Sequence, residues 1–221
     1  MIEGTNLMFK ISTSTSDVDS IEATPALTTQ LTGISPKTLR KAVIAGFIPN
    51  LSITTVLQLG RLPMVESVST PGGAPVPFVR MGIQTPDSGY DPGHTPPRKY
   101  YGLGVSMSDA EFLASSVRWW KRGGQSRVLA AQHMLVAIGG LTVGLIGGID
   151  NTAADGERIE YVGADLRLIA RVDDVLSRDV RFIDPNNVTE EERTLAGQLL
   201  PTRSTTKGGG VIGVLDADLS A

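Results

Sequence analysis

An α+β fold is predicted by the sequence, with a small group of helices near the amino terminus followed by a mostly antiparallel sheet. Three helix start signals follow one another between residues 24 and 60. After residue 128, short apolar runs alternate with glycine-containing turns, a pattern typical of strands. The 221 residues are 41% hydrophobic and 19% charged and include no cysteine, which indicates a globular chain without a disulfide framework.

Composition divides the chain into four parts. Residues 1–22 form a polar leader, 23–66 a helical domain, 67–105 a Pro/Gly-rich linker and 106–221 an α+β domain. We expect the leader to be loosely ordered, and we expect strands at Pro77–Met81 and Tyr100–Val105 within the linker. The chain begins without a basic region followed by an apolar run, so the sequence predicts a cytoplasmic protein.

The helical domain is predicted from its caps. Thr24 and Ser35 each place a capping side chain directly before a proline, which suits the first position of a helix. Gly33 and Gly46 supply the flexible residues at which the first two helices end. The predicted helices run over 25–32, 36–45 and 53–60, the third after a cap at Ser52.

The α+β domain opens with a predicted helix from 109 to about 122. Ser108 and Glu111 match the capping box, in which each side chain satisfies the other's backbone donor. Arg118, Lys121 and Arg122 are then expected at the negative end of the helix dipole.

Residues 128–149 form a run of 22 residues without a formal charge. This length is sufficient for a membrane span. Its five glycines, with Gln132 and His133, disfavour a spanning helix. The sequence favours two strands joined by a turn at Gly139 and Gly140.

The remaining elements complete the predicted sheet. Thr189 is expected to cap a helix with three glutamates in its first turn, ending before Pro201. Leu166–Val175 fits a strand or a helix. Strands are predicted at Arg158–Val162, Arg178–Ile183 and Val211–Leu215, the last after a flexible turn at Thr205–Gly210.

Charge is distributed unevenly, although the net charge is only −3. Between Ala23 and Val65 there is no acidic residue against four basic ones. After Ile149 the balance reverses, with 14 acidic residues against 8 basic ones. The first two thirds of the chain therefore suit a polyanionic partner, and the last third does not.

Residues 24–62 resemble the amino-terminal helix-turn-helix unit of excisionase-like and mercury-resistance-regulator-type DNA-binding proteins. A Gly-Ile-Ser-x-x-Thr-Leu-Arg core is followed by Gly-x-Ile-Pro. The matching residues are Gly33, Ile34, Ser35, Thr38, Leu39, Arg40, Gly46, Ile48 and Pro49. The resemblance implies that the helix over 36–45 enters the major groove of double-stranded DNA.

Five residues of this second helix are the candidate DNA contacts. They are Lys37, Thr38, Arg40, Lys41 and Ile44. Long basic side chains reach phosphates or guanine edges, and a threonine hydroxyl can bond a phosphate. A homodimer is expected, because one short helix reads few base pairs. The sequence thus predicts a sequence-specific DNA-binding protein, a transcriptional regulator with a sensing or dimerisation domain at its carboxyl end.

Other chemistry is not supported by the sequence. His94 and His133 have no nucleophile motif beside them, so we expect no enzymatic activity, and we also expect no cofactor and no metal. Trp119 and Trp120 fit base stacking or, more often, the edge of a core. A structural or assembly protein, such as a virion component, is the alternative, because the many Gly, Pro, Ser and Thr residues also suit that class.

Overall fold

The computed structural model of the protein describes residues 19–65, 74–87, 98–204 and 212–214. It confirms a mixed α+β fold. The helices are α1 (Pro25–Thr32), α2 (Pro36–Ile44), α3 (Ile53–Gly60), α4 (Asp109–Val117), α5 (Gln125–Ala131) and α6 (Glu190–Leu199). The strands are β1 (Met64–Val65), β2 (Pro77–Met81), β3 (Thr85–Pro86), β4 (Tyr100–Tyr101), β5 (Arg118–Lys121), β6 (His133–Ile138), β7 (Leu141–Gly147), β8 (Asn151–Asp155), β9 (Arg158–Val162), β10 (Arg167–Arg171), β11 (Arg181–Phe182), β12 (Arg203–Ser204) and β13 (Ile212–Val214).

The main sheet follows the order β1-β12-β7-β6-β2-β13. Strand β7 pairs with β12 at Leu141 and with β10 farther along, at residues 144–147. Strand β11 in turn pairs with β10. Pairing is antiparallel except between β1 and β12 and between β2 and β6. A separate three-stranded sheet has the order β5-β9-β8, and β3 pairs with β4.

The β6–β7 hairpin lies at the centre of the core. Its strands meet at Gly139 and Gly140, as predicted, with φ of 61° and 82°. Every residue of β7 is buried, and so is every residue of β6 except the half-buried His133. This burial on both faces explains why the sequence of the hairpin is continuously apolar rather than alternating. No helix within the described ranges has the length and apolar character that a membrane crossing requires.

The prediction of one helix from 109 to 122 was wrong in its second half. The capping box at Ser108 and Glu111 is present, but α4 ends at Val117 and the next four residues form β5. Arg118 follows the last helical residue in an extended conformation, and Lys121 and Arg122 lie beyond the helix end. Pairing with β9 and a buried ion pair between Arg118 and Glu160 extend the chain here. These tertiary contacts outweigh the local helix preference.

Several other predictions were partly confirmed. The strands at Pro77–Met81 and Arg158–Val162 have the predicted bounds, and Leu166–Val175 contains the strand β10. The strands predicted at Tyr100–Val105 and Arg178–Ile183 shorten to two residues each. Residues 1–18, His94 and the predicted turn at Thr205–Gly210 lie outside the described residues, as do both ends of the strand predicted at Val211–Leu215.

Candidate nucleic-acid interface

Helix α2 begins at the predicted Pro36 and ends one residue before the predicted Ala45. The Ser35 side chain accepts a hydrogen bond from the Thr38 backbone N–H at 3.3 Å, and Pro36 occupies the first turn. The last helical residue is Ile44, and Gly46 follows with a φ of 84°. A non-glycine residue at Gly46 would be strained by this φ, and its β-carbon would lie only 2.6 Å from a Val105 methyl.

The inner face of α2 packs on the β6–β7 turn. Leu39 and Ala42 are fully buried. A β-carbon added at Gly139 would lie 3.0 Å from the Thr38 carbonyl oxygen and 3.1 Å from the Ala42 β-carbon. Gly139 therefore serves both the hairpin conformation and the close approach of α2.

The carboxyl end of α2 is tied to the core by backbone hydrogen bonds. Val105 N–H donates to the Ala45 carbonyl at 2.8 Å, and Val175 N–H donates to the Phe47 carbonyl at 3.1 Å. The Val105 carbonyl in turn accepts from the buried Arg171 guanidinium at 2.9 Å. Helix α2 is thus held both along its inner face and at its carboxyl end.

Arg203 of β12 stabilises the neighbouring helices. Its guanidinium donates to the Leu31 and Thr32 carbonyls at 3.0 and 2.9 Å, at the end of α1. It also donates twice to the Leu62 carbonyl, at 3.0 and 2.9 Å, just beyond α3. These hydrogen bonds supply the partners that carbonyls at a helix end otherwise lack. Burial lowers the pKa of Arg203 from its ordinary value, but an arginine stays charged at neutral pH.

The outer face of α2 carries a stripe of three exposed side chains. Lys37, Lys41 and Ile44 are spaced four and three positions apart, so they lie on one side of the helix. Ile44 is 67% exposed, an unusual position for a large apolar side chain. Neither lysine forms an ion pair with a described carboxylate.

The other two predicted contacts are already engaged within the chain. The Thr38 hydroxyl lies 2.9 Å from the Ser35 hydroxyl, so it belongs to the amino-terminal cap of α2. Arg40 donates to the Glu22 carboxylate at 3.2 Å, with both side chains about two thirds exposed, at 64% and 66%. An exposed pair of this kind is weak and exchanges readily.

Glu22 is a residue of this surface that the sequence did not predict. It precedes the acid-free segment by one position, and no local pattern links it to Arg40, which is 18 residues away. Backbone contacts at Leu51 and Ser52 hold residues 22 and 23 beside α2. A groove of about 320 Å³ lies there and is also bordered by Asp19. One flank of α2 is therefore acidic.

The remaining sequence candidates lie elsewhere. His133 Nδ1 lies 3.0 Å from the Ala131 carbonyl oxygen, and its Nε2 lies 3.8 Å from a Glu192 carboxylate oxygen. Trp120 is half-buried against the core and donates its indole N–H to the Ser116 carbonyl at 2.9 Å. Within the described ranges, no group of three His, Asp or Glu side chains is placed to hold a metal ion.

Comparison with known proteins finds no similar protein. No protein-family model matches the chain, and neither a curated protein nor a solved structure matches it. The fold and the α2 surface define a mixed α+β protein with an exposed, partly basic helix.

Proposed function

We propose that this chain is a sequence-specific double-stranded DNA-binding protein that reads the major groove with the outer face of α2. The observation that carries the proposal is the exposed stripe of Lys37, Lys41 and Ile44. The proposed protein acts as a transcriptional regulator and binds as a homodimer, because a helix of nine residues spans few base pairs.

The chemistry of the stripe suits a base-reading surface. Lysine ammonium groups donate to phosphates and to the guanine O6 and N7 atoms in the major groove. An exposed isoleucine gives an apolar contact for the thymine methyl group, as other apolar side chains do. Ile44 lies one turn beyond Lys41, so one helix face offers both charge and a methyl contact.

The rigid support of α2 strengthens the proposal. A recognition helix must keep its side chains in register with the base pairs, and α2 is fastened along its inner face and at its carboxyl end. Glu22 is the unfavourable feature, because its carboxylate repels a phosphate and occupies Arg40. In the proposed complex Arg40 exchanges Glu22 for a phosphate oxygen.

The first test removes the two lysines. For Lys37→Ala/Lys41→Ala, we expect binding to a mixed-sequence 30-base-pair duplex to weaken about tenfold at low salt. The slope of log Kd against log salt should fall by about one for each phosphate that the variant no longer binds. Fluorescence anisotropy over a salt series measures both quantities.

A matched control removes two positive charges elsewhere. Lys99→Gln/Arg178→Asn changes two exposed side chains outside α2, and asparagine tolerates the φ of 61° at residue 178. The control should leave the slope unchanged. Equal effects of the control and the α2 variant would contradict a binding site on α2.

The second test removes the competing carboxylate. Glu22→Gln keeps the size of the side chain and frees Arg40, so we expect DNA to bind more tightly. An exposed ion pair contributes little to folding, so the thermal midpoint should stay the same. Unchanged or weaker binding by Glu22→Gln would argue that DNA does not reach this side of α2.

A structural or assembly role is the second candidate, favoured by exposed apolar side chains on the amino-terminal half. Ile44 is 67% exposed, and Leu57 on α3 is 44% exposed. Size measurement at increasing concentration separates the two functions. An assembly role would be supported if the wild type forms a higher oligomer as its concentration rises, if Ile44→Ser prevents that oligomer, and if the wild type does not bind DNA.

A further inference from the structure

Four cations from two distant parts of the chain form a second positive surface, here named the β5–β9 basic patch: Lys121, Arg122, Arg127 and Arg158. All four side chains are exposed. Lys121 ends β5 and lies directly opposite Arg158, which begins β9. Arg122 Nη2 donates to the Gly156 carbonyl in the β8–β9 turn at 3.2 Å, and Arg127 lies in the first turn of α5.

The same two strands carry one matched and one mismatched charge pair. At their inner end Arg118 and Glu160 are register partners and form a buried ion pair. At their outer end Lys121 and Arg158 face each other with the same charge. Like charges in directly opposed positions destabilise a sheet. Pairing of β5 with β9 therefore gives no reason for this arrangement.

The cations of the patch are not neutralised by ion pairs among the described side chains. None of its four cations forms an ion pair with a described carboxylate. Two acidic residues are close in the chain: Glu157 in the β8–β9 turn, and Asp155, which pairs with Arg158 in the backbone register of β8. Four cations against these two acids leave a local excess of positive charge.

The composition of the patch points to phosphate. Three of its four cations are arginines, whose planar guanidinium groups match two phosphate oxygens at once. The neighbouring Trp120 is half-buried against the core and donates its indole N–H to the Ser116 carbonyl. We infer that the β5–β9 basic patch binds backbone phosphates of duplex nucleic acid, independently of base sequence and separately from α2.

The test compares four proteins on the same labelled 30-base-pair duplex. They are the wild type, Arg122→Gln/Arg158→Gln, Lys37→Ala/Lys41→Ala, and the combination of all four changes. For Arg122→Gln/Arg158→Gln we expect about tenfold weaker binding at low salt. The log Kd against log salt slope should fall by about two. The Lys99→Gln/Arg178→Asn control should change Kd less than about twofold, because neither residue belongs to α2 or to the β5–β9 basic patch, and contacts to phosphates supply most of the binding free energy.

The outcomes separate this inference from the α2 proposal. If only Arg122→Gln/Arg158→Gln binds DNA more weakly, the result supports phosphate binding by the patch and contradicts the α2 proposal. If only Lys37→Ala/Lys41→Ala binds more weakly, the result supports the α2 proposal and contradicts the patch inference. An unchanged Kd and slope for the patch variant would overturn the inference, and its charges would then serve to keep the edge strand β5 from pairing with other chains. A wild-type protein that does not bind the duplex overturns both.

A competition arm tests the phosphate assignment. Inorganic polyphosphate should displace the duplex from Lys37→Ala/Lys41→Ala, in which the patch is intact, at a lower charge concentration than polyglutamate. Equal competition by the two polymers would overturn phosphate recognition, because it would show only general attraction to negative charge. A circular dichroism melt of each variant confirms that the exposed substitutions leave the fold unchanged.

Discussion

Arg171 is a buried charged residue whose stability depends on its ion-pair partners. Its side chain is 1% exposed, yet it carries a charge that lies 3.3 Å from Asp109 and 2.6 Å from Asp173. Arg181 bridges the same two carboxylates from β11, at 2.8 and 3.2 Å. The Arg171 guanidinium also lies 5.0 Å from the centroid of the Phe112 ring. A buried charge of this kind is tolerated only while its partners are present.

Asp109 makes this network sensitive to acid. Hydrogen bonds from Arg181 hold the pKa of Asp109 below its ordinary value, with further help from the charges of Arg181 and Arg171. A depressed carboxylate pKa stabilises the folded state above the unfolded pKa of about 3.9. That stabilisation is lost as the pH falls through the lower, folded value.

We therefore expect Asp109→Asn to lower the free energy of unfolding at pH 7 and to flatten its decline between about pH 5 and pH 2. Urea denaturation at several pH values measures both effects. Asp179→Asn, at an exposed carboxylate, is the control and should follow the wild-type curve. A decline of Asp109→Asn parallel to the wild type would show that Asp109 does not govern acid stability.

At the scale of elements, the β6–β7 turn is the support on which α2 lies. Gly140 has a φ of 82°, and a β-carbon there would lie 2.9 Å from the side chain of Ile34, which lies between α1 and α2. Gly139 faces α2 in the same way. The hairpin and the helices consequently constrain each other through two residues without side chains.

A pair of identical substitutions with opposite expected signs tests this support. Gly139→Ala should destabilise the fold by about 2 kcal/mol, because a left-handed φ and a contact with the Thr38 carbonyl both oppose a β-carbon. Gly197→Ala should stabilise it by up to about 1 kcal/mol, since Gly197 is exposed within α6 and a β-carbon there meets no other atom. Chemical denaturation measures both. Destabilisation by both variants would contradict the explanation.

On the scale of the whole molecule, the amino-terminal helices share a core with the sheet. One cluster of buried apolar residues includes Ile34 and Leu39 from the helical part and Leu135 and Leu145 from the hairpin. Strand β2, from the segment expected to link two domains, is an inner strand of the main sheet. Arg203 joins β12, late in the chain, to α1 and to the segment after α3.

We expect one cooperative unfolding transition in which both parts take part. Hydrogen exchange at Leu39 and at Leu145 should give similar opening free energies. Arg203→Met should lower both by about 3 kcal/mol, because it leaves carbonyls at the ends of the helices without partners. A loss confined to Leu39 would instead show that the helices form an independent folding unit.

Features that depend on near neighbours in the chain could be predicted from the amino-acid sequence alone. The caps at Thr24, Ser35 and Ser108 and the Gly139-Gly140 hairpin were predicted correctly. Each of these signals acts over three or four residues, so the local chain contains all the atoms that determine it. The exposed stripe on α2 follows from the same helical spacing.

Features that depend on residues far apart in the chain became visible only in the folded molecule. Residues 118–121 form a strand because β9 and Glu160, 42 positions from Arg118, supply its partners. Glu22 lies beside Arg40, and Arg158 lies opposite Lys121, for the same reason. Local preference amounts to only a few tenths of a kcal/mol per residue, whereas a buried ion pair and a strand pairing together outweigh it. The two proposed binding surfaces thus differ in origin. The exposed stripe on α2 can be predicted from the local sequence, whereas the β5–β9 basic patch forms only when the chain folds.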